Sequence, residues 1–285
     1  MRFKWSRSFH RSLIGSRHRR LNQPCQDASG TASCTSKNGL PVSLIVVADG
    51  HGGERYQYSD IGAQLVCSEA INLICAYLAQ QSLYPDKDLL DQRQLIWLRE
   101  TFPELLRRHW LECIARDWQD RSTPDVYNPY LYGTTIGLVI MTPFWFAYTG
   151  IGDWDLTLIH SDGRREILSE EIKVEGANEI TESLAQQDAT KKMAARTALI
   201  SNREVVMPFY LALSTDGIRK SCFTDIGFLE IINYLALQYD PDNPNCQDGY
   251  QDADLNRISK EGCGDDISLA VCKCLATSGV LNTKT

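Results

Sequence analysis

Apolar residues along this chain gather into short runs, and several of the runs meet an aspartate at the same end. Leu44-Ile45-Val46-Val47-Ala48 is the clearest case. Five consecutive apolar residues with three β-branched side chains predict a strand buried on both faces. The run stops at Asp49, followed by Gly50, His51, Gly52 and Gly53. The aromatic run Phe144-Trp145-Phe146-Ala147-Tyr148 leads through Thr149-Gly150-Ile151-Gly152 to Asp153, and Leu211-Ala212-Leu213 leads to Asp216-Gly217. In the fourth case the order reverses, and Asp265-Asp266 opens the strand-like run 267–272. Two hairpins are predicted, one joining 132–140 to 144–149 at Thr142-Pro143, the other joining 156–159 to 164–168 at Ser161-Asp162-Gly163.

Helical spacing fills the intervals. Ile61, Leu65, Ser68, Ile71, Cys75 and Leu78 predict a long amphipathic helix after Gly53, with Glu54 in its first turn. Residues 86–121 form a second helical region. The capping-box pattern Thr101-Phe102-Pro103-Glu104 divides it in two, and Leu106, Trp110, Ile114 and Trp118 supply its apolar face. Residues 169–205 are polar and mixed, with a short helix expected over 190–199, and are expected to be the most mobile internal segment. A strand over 209–213 and a helix over 228–237 precede a polar loop at 240–248. Antiparallel hairpins with helices elsewhere indicate an α+β fold rather than a doubly wound sheet.

The chain has 285 residues, 43% hydrophobic and 23% charged, and no linker-like stretch divides it, so a single domain over 1–285 is expected. A net charge of −7 argues against nucleic-acid binding. Ten cysteines include no C-x-x-C pair, and several fall on apolar helix positions, so neither a zinc ribbon nor a disulfide framework is expected. The basic start has no apolar stretch behind it and does not read as a signal peptide. No run approaches the length of a membrane span. A cytoplasmic protein with reduced thiols and no membrane partner is the expectation.

One aspartate at a strand end is ordinarily a solvated turn residue. Four at four strand ends converge if the strands lie side by side, and such a cluster repels itself unless cations neutralise it. Oxygen-only ligands favour Mg²⁺ or Mn²⁺ over zinc, and two adjacent ions suit phosphoryl chemistry. No Cys-x5-Arg or nucleophile-elbow motif offers a side-chain nucleophile instead.

Asp49-Gly50-His51-Gly52-Gly53, Gly133-Thr134-Thr135, Gly152-Asp153, Ser214-Thr215-Asp216-Gly217 and Asp265-Asp266-Ile267-Ser268-Leu269 stand in the order and approximate spacing of the metal-dependent type 2C protein phosphatases. Pro24-Cys25-Gln26-Asp27-Ala28 and Glu175-Gly176-Ala177-Asn178-Glu179 resemble a bacterial branch of that family. The resemblance implies a four-layer α-β-β-α sandwich of two antiparallel sheets flanked by helices. It implies a serine/threonine protein phosphatase that uses water activated at a two-metal Mg²⁺ or Mn²⁺ centre. It assigns Asp49 to both ions, the Gly50 carbonyl, Asp216 and Asp265 to the metals, Asp27 to orienting water, and Asp153 with Asp216 to a third, weaker ion.

His51 is either a general acid for the leaving alkoxide or a residue that orders water. For the substrate phosphate the resemblance offers Arg20, with Arg19 and His18 as alternatives, because Pro24-Cys25 lengthens the family's spacing. It also puts a flap within 169–205, and a phosphorylated protein, a cognate kinase or that kinase's target as partner. The family's usual Ser-Arg after Gly-Asp is replaced by Trp154-Asp155. A non-catalytic phosphatase-like binding protein and a phosphatase of a small phosphorylated metabolite remain as alternatives.

Overall fold

In the computed structural model, residues 2–84, 90–121, 126–169, 182–202, 205–239 and 250–275 are described. The chain opens with β1 (Lys4–Trp5), β2 (Phe9–Leu13) and α1 (Ser16–Leu21), then the long pair β3 (Asp27–Thr35) and β4 (Pro41–Asp49). Helices α2 (Ser59–Ala79), α3 (Leu90–Ile96) and α4 (Phe102–Asp120) follow, then β5 (Ile136–Met141), β6 (Trp145–Ile151), β7 (Asp155–His160) and β8 (Arg165–Ile167). Last come α5 (Ala189–Ala195), β9 (Ala198–Ser201), β10 (Phe209–Ser214), α6 (Gly217–Lys220), α7 (Asp225–Gln238), α8 (Tyr250–Glu261) and β11 (Ile267–Leu275).

The strands form two sheets with antiparallel pairing throughout. One has the order β3-β4-β5-β6-β9; the other has β1-β11-β10-β7-β8, with β2 also paired to β11. β4 shows why its sequence is apolar without interruption. Leu44, Val46 and Ala48 pack into a core shared with α2 and α4, while Ile45 and Val47 pack into the core between the sheets with Leu156, Leu211 and Ala270. Alternate residues of a strand face opposite ways, so a strand covered on both faces needs apolar side chains at every position. Each such side chain contributes about 1.5–3 kcal/mol on burial. A third core lies under α7 and α8, where Phe228, Ile232, Leu235 and Leu255 cover the second sheet. The layers are therefore helix, sheet, sheet, helix, as expected for the α+β sandwich.

The details depart from the sequence expectations in several places. In α2 the fully buried residues include Gly62, Ala63, Val66, Ala70, Ile74 and Leu78, while Ile61, Leu65, Ile71 and Cys75 of the predicted stripe are partly buried at the border of the same core. Small residues there allow close approach of α2 to β3 and α4. Glu54 belongs to a separate tight turn, Glu54–Tyr56, and not to α2. By length and mean hydropathy (1.5) α2 would suffice to cross a membrane, contrary to expectation, yet it lies against β3, β4 and α4. The predicted break at Thr101 is not a break. Trp97–Thr101 forms a wide helical turn that runs into α4, Thr101 has helical φ/ψ, and its side chain caps nothing. Phe102 and Pro103 are buried instead, so packing overrides the capping pattern.

Residues 170–181 and 203–204 of the expected flap lie outside the described residues, as does the loop at 240–248. The described part, 182–202, is built into the fold. β9 pairs with β6, and Leu184, Ala185, Ala189 and Met193 belong to the first sheet's helix-side core. The polar, mixed character expected of 169–205 does not hold for this part. Strand β9 and helix α8 were not anticipated.

Candidate metal centre

One edge of the sandwich collects the acids, and strand register puts them there. Asp27 opens β3 and Asp49 closes β4, and the antiparallel register sets the two directly opposite. The Asp49 backbone is fixed from the start of β5. The Thr135 N–H (2.8 Å) and the Thr134 hydroxyl (2.9 Å) donate to its carbonyl, and its own N–H donates to Thr135 Oγ1 (3.0 Å). Gly50 follows where no side chain fits. A Cβ there would lie 2.6 Å from the carbonyl oxygens of both Gln26 and Ser59. On the other sheet, Asp216 lies two residues beyond β10, and Asp265-Asp266 immediately precede β11. The Thr215 hydroxyl crosses between sheets and donates to Asp27 Oδ2 (2.7 Å).

The result is a carboxylate triplet. Asp49, Asp153 and Asp216 each present an oxygen within 4.8 Å of the others. Oδ1 of Asp153 and Oδ2 of Asp216 are buried without a hydrogen-bond donor. Burial, with Asp49 and Asp153 adding repulsion, pushes Asp216 up to about 10. Burial raises Asp49 well above the usual carboxylate range, helped by Asp27, Asp153 and Asp265. Asp27 shifts the same way through burial, and the Thr215 hydrogen bond opposes that shift. Asp27 and Asp265 stand outside the triplet but add to its field.

Such a cluster lacks positive charge. The cation that pairs with these acids is Lys220, whose Nζ is 2.6 Å from Asp216 Oδ2 and 3.5 Å from Asp265 Oδ2. The 2.6 Å contact is an ion pair without hydrogen-bond alignment, so Asp216 Oδ2 still lacks a directed donor. Orphaned buried oxygens on oxygen-only donors fit a hard divalent cation.

Asp266 has the opposite surroundings. Its carboxylate accepts from the N–H of Gly15 (2.5 Å), the N–H of Gln26 (2.6 Å) and Nδ1 of His18 (2.8 Å). It thereby binds both ends of the segment that carries α1 to the sheets. Gly15 sits against the backbone of Asp265, where a Cβ would lie 2.3 Å from the Asp265 carbonyl carbon. Asp265 itself is partly exposed, and its carboxylate accepts from the Asp266 N–H (3.2 Å) beside Lys220.

The remaining sequence candidates are placed as follows. His51 is buried with its ring edge toward Tyr56, and its Nε2 has no hydrogen-bond partner. Burial pushes it down to about 4 against the pull of Asp153, which leaves a neutral imidazole at pH 7. Among the three phosphate-binding candidates, His18 is occupied by Asp266 and Arg19 donates to Asn256 (2.5 Å). Arg20 is exposed, and among the described residues no hydrogen bond or ion pair joins it to the carboxylates. Asp155, in place of the family's arginine, is buried and paired with Arg219 (2.8 Å). Burial still carries it up to about 6.

Sequence reasoning missed Lys220, Thr215 and the His18–Asp266 clamp. The i,i+4 spacing of Asp216 and Lys220 was the one available signal, since such pairs meet on a helical turn.

Solved structures share this architecture at low identity. PppA from Pseudomonas aeruginosa, described as a key regulatory component of T6SS, matches with a TM-score of 0.56 at 16% identity, over 96% of this chain and 100% of its own. A serine/threonine phosphatase from S. agalactiae matches with 0.56 at 17%, over 93% and 98%. The catalytic domain of the serine/threonine protein phosphatase PstP, solved with two manganese ions, matches with 0.55 at 16%, over 95% and 98%. At these identities the likeness is one of fold. No curated protein sequence matches the chain. The sequence itself matches the protein phosphatase 2C family over residues 14–253, a stretch that holds Asp27, Asp49, Asp153 and Asp216 and stops short of Asp265. The chain therefore belongs to the protein phosphatase 2C family.

Proposed function

We propose that this chain hydrolyses phosphoserine and phosphothreonine in proteins, with Mg²⁺ or Mn²⁺ held by the acids at the sandwich edge. The observation that carries this reading is the triplet of Asp49, Asp153 and Asp216, with oxygens within 4.8 Å and two of them buried without donors. Family membership and the two manganese ions of the PstP structure support it. Asp49, Asp216 and Asp153, with the Gly50 carbonyl and Asp265 at the border, would hold the ions. Bound ions would supply the positive charge that shields phosphate oxygens and makes water nucleophilic near neutral pH.

The chain's own residues then have separable tasks. Asp27, fixed by Thr215 opposite Asp49, orients the attacking water from one side. His51, neutral at pH 7, orders water through Nε2 rather than delivering a proton to the leaving alkoxide. Arg20, exposed on α1, holds the substrate phosphate. The partner is a phosphorylated protein, with a cognate kinase or that kinase's target the first to examine.

Phosphate release from phosphothreonine peptides in Mn²⁺, abolished by EDTA, is the expected result. Full activity in chelator removes the metal reading. Activity on phosphorylated metabolites with none on peptides moves the substrate class, and inactivity on both favours a binding protein.

A further inference from the structure

Among the described residues, Lys220 is the basic side chain that pairs with Asp216 and Asp265, and nothing in the chemistry above requires it. Its ammonium approaches Asp216 at 2.6 Å and Asp265 at 3.5 Å, and it is four residues along from Asp216 on the short helix α6. Its backbone is fixed there, since the Lys220 N–H donates to the Asp216 carbonyl at 2.8 Å. The side chain is half exposed, so it can swing away from the cluster into solvent without disturbing a core. Asp216 Oδ2 is buried and receives no directed hydrogen bond, so the ammonium neutralises it without matching its geometry. A divalent ion ligated by the same oxygen would sit about 2.0–2.6 Å from it. An ammonium at 2.6 Å and such an ion repel each other strongly across a buried carboxylate.

We propose that Lys220 is a built-in competitor of the divalent cation, neutralising Asp216 and Asp265 when no ion is bound and leaving them when one binds. This rests on the reading of the acid cluster as a divalent-cation site. The device sets the affinity of that site. It holds the repelling carboxylates together without metal, and it weakens metal binding by the strength of the contacts that must break.

The test is Mn²⁺ binding by equilibrium titration, followed by free-Mn²⁺ resonance, on the full chain and on Lys220→Met, Lys220→Arg and Asp216→Asn, with melting curves in EDTA. Lys220→Met is expected to bind Mn²⁺ roughly three- to tenfold more tightly, the range of a partly exposed ion pair with several acids. Its melting temperature should fall in EDTA and recover in saturating Mn²⁺. Lys220→Arg should keep the weaker, wild-type affinity. A gain in affinity cannot come from mere structural damage, which would weaken binding. Equal or weaker binding by Lys220→Met overturns the proposal while leaving the cation site intact. Failure of the full chain and Lys220→Met to bind Mn²⁺ at all overturns both, and wild-type-like binding by Asp216→Asn places the site elsewhere.

Discussion

Two sets of carboxylates share one edge of the sandwich and live under opposite conditions. Asp266 is buried and meets three donors, two backbone N–H groups and His18. Asp216 is equally buried, meets no directed donor, and faces two further acids. A buried charge is tolerated when hydrogen bonds replace its lost water, as at Asp266, and otherwise demands a counter-ion. Burial alone therefore does not mark a metal ligand. The shortage of donors does. The adjacent residues Asp265 and Asp266 carry the contrast within two positions, one carboxylate partly exposed beside Lys220 and the other closed into a clamp.

The largest expected effect breaks the donor-poor side. Asp49→Asn or Asp216→Asn should reduce phosphatase activity by roughly a thousandfold or more, a size fitting loss of metal-supplied charge stabilisation. Both should leave the fold intact, and melting in EDTA should improve at high pH, where a buried acid among acidic neighbours would otherwise have to ionise. Phosphate-release rates paired with melting curves check this, and retained activity in both variants ends the metal assignment. Next in size is the crossed pair. Asp265→Asn should lose activity and Mn²⁺ affinity at unchanged melting temperature. Asp266→Ala should cost on the order of 3 kcal/mol of stability, because it strands two N–H donors and His18. The milder Asp266→Asn should keep a substantial part of both activity and Mn²⁺ affinity. Equal losses in Asp265→Asn and Asp266→Asn would merge the two sets.

A smaller effect concerns pH. Asp216 is carried up to about 10, with Asp49 and Asp27 raised in the same direction, so in this window the folded chain holds more protons than the unfolded one. Stability must then fall as pH rises between about 4 and about 10 wherever these groups dominate. In EDTA the melting temperature should be higher at pH 6 than at pH 8. Saturating Mn²⁺ should flatten or reverse that slope, because ion binding favours the ionised carboxylates. A melting temperature in EDTA that rises from pH 6 to pH 8 contradicts the donor-poor description.

This contrast marks how far the sequence could be read. Strand–Asp junctions were legible because a strand buried on both faces has a continuous apolar signature, and Asp49, Asp153 and Asp216 then follow from sheet pairing. The centre of the buried face of α2 was not legible, because Gly62, Ala63 and Ala70 carry little hydrophobic signal although they make the closest contacts, and the predicted Ile61, Leu65 and Ile71 mark its border. Thr101 misled for a related reason, since the burial of Phe102 and Pro103 outweighs a cap worth about 1 kcal/mol. Nor could composition separate Asp265 from Asp266. Their difference lies in contacts to Gly15, His18 and Gln26, some 240–250 residues away along the chain. Lys220 was visible in spacing, but a lysine four residues after an acid is ordinarily a surface pair.

The smallest expected effect joins the two sides. Asp266 holds Gly15 and Gln26, the residues that bracket α1, so the well-hydrogen-bonded carboxylate fixes the helix that carries His18, Arg19 and Arg20. Two of these three basic residues are already engaged, His18 by Asp266 and Arg19 by Asn256. Arg20 is exposed and unengaged among the described residues, which leaves it to meet a phosphate from outside. An exposed guanidinium that contacts phosphate chiefly strengthens substrate binding, without taking part in the bond change. Arg20→Ala should therefore raise KM for a phosphothreonine peptide by about tenfold or less while kcat, Mn²⁺ affinity and melting temperature stay near wild type. The rise should shrink at high salt, where the wild-type contact is itself screened. Arg19→Ala serves as the control, since its loss removes a contact to α8 and should leave KM unchanged. A KM effect at Arg19 and none at Arg20 would move the phosphate to the other side of α1. Neither effect would mean that this helix serves the clamp alone.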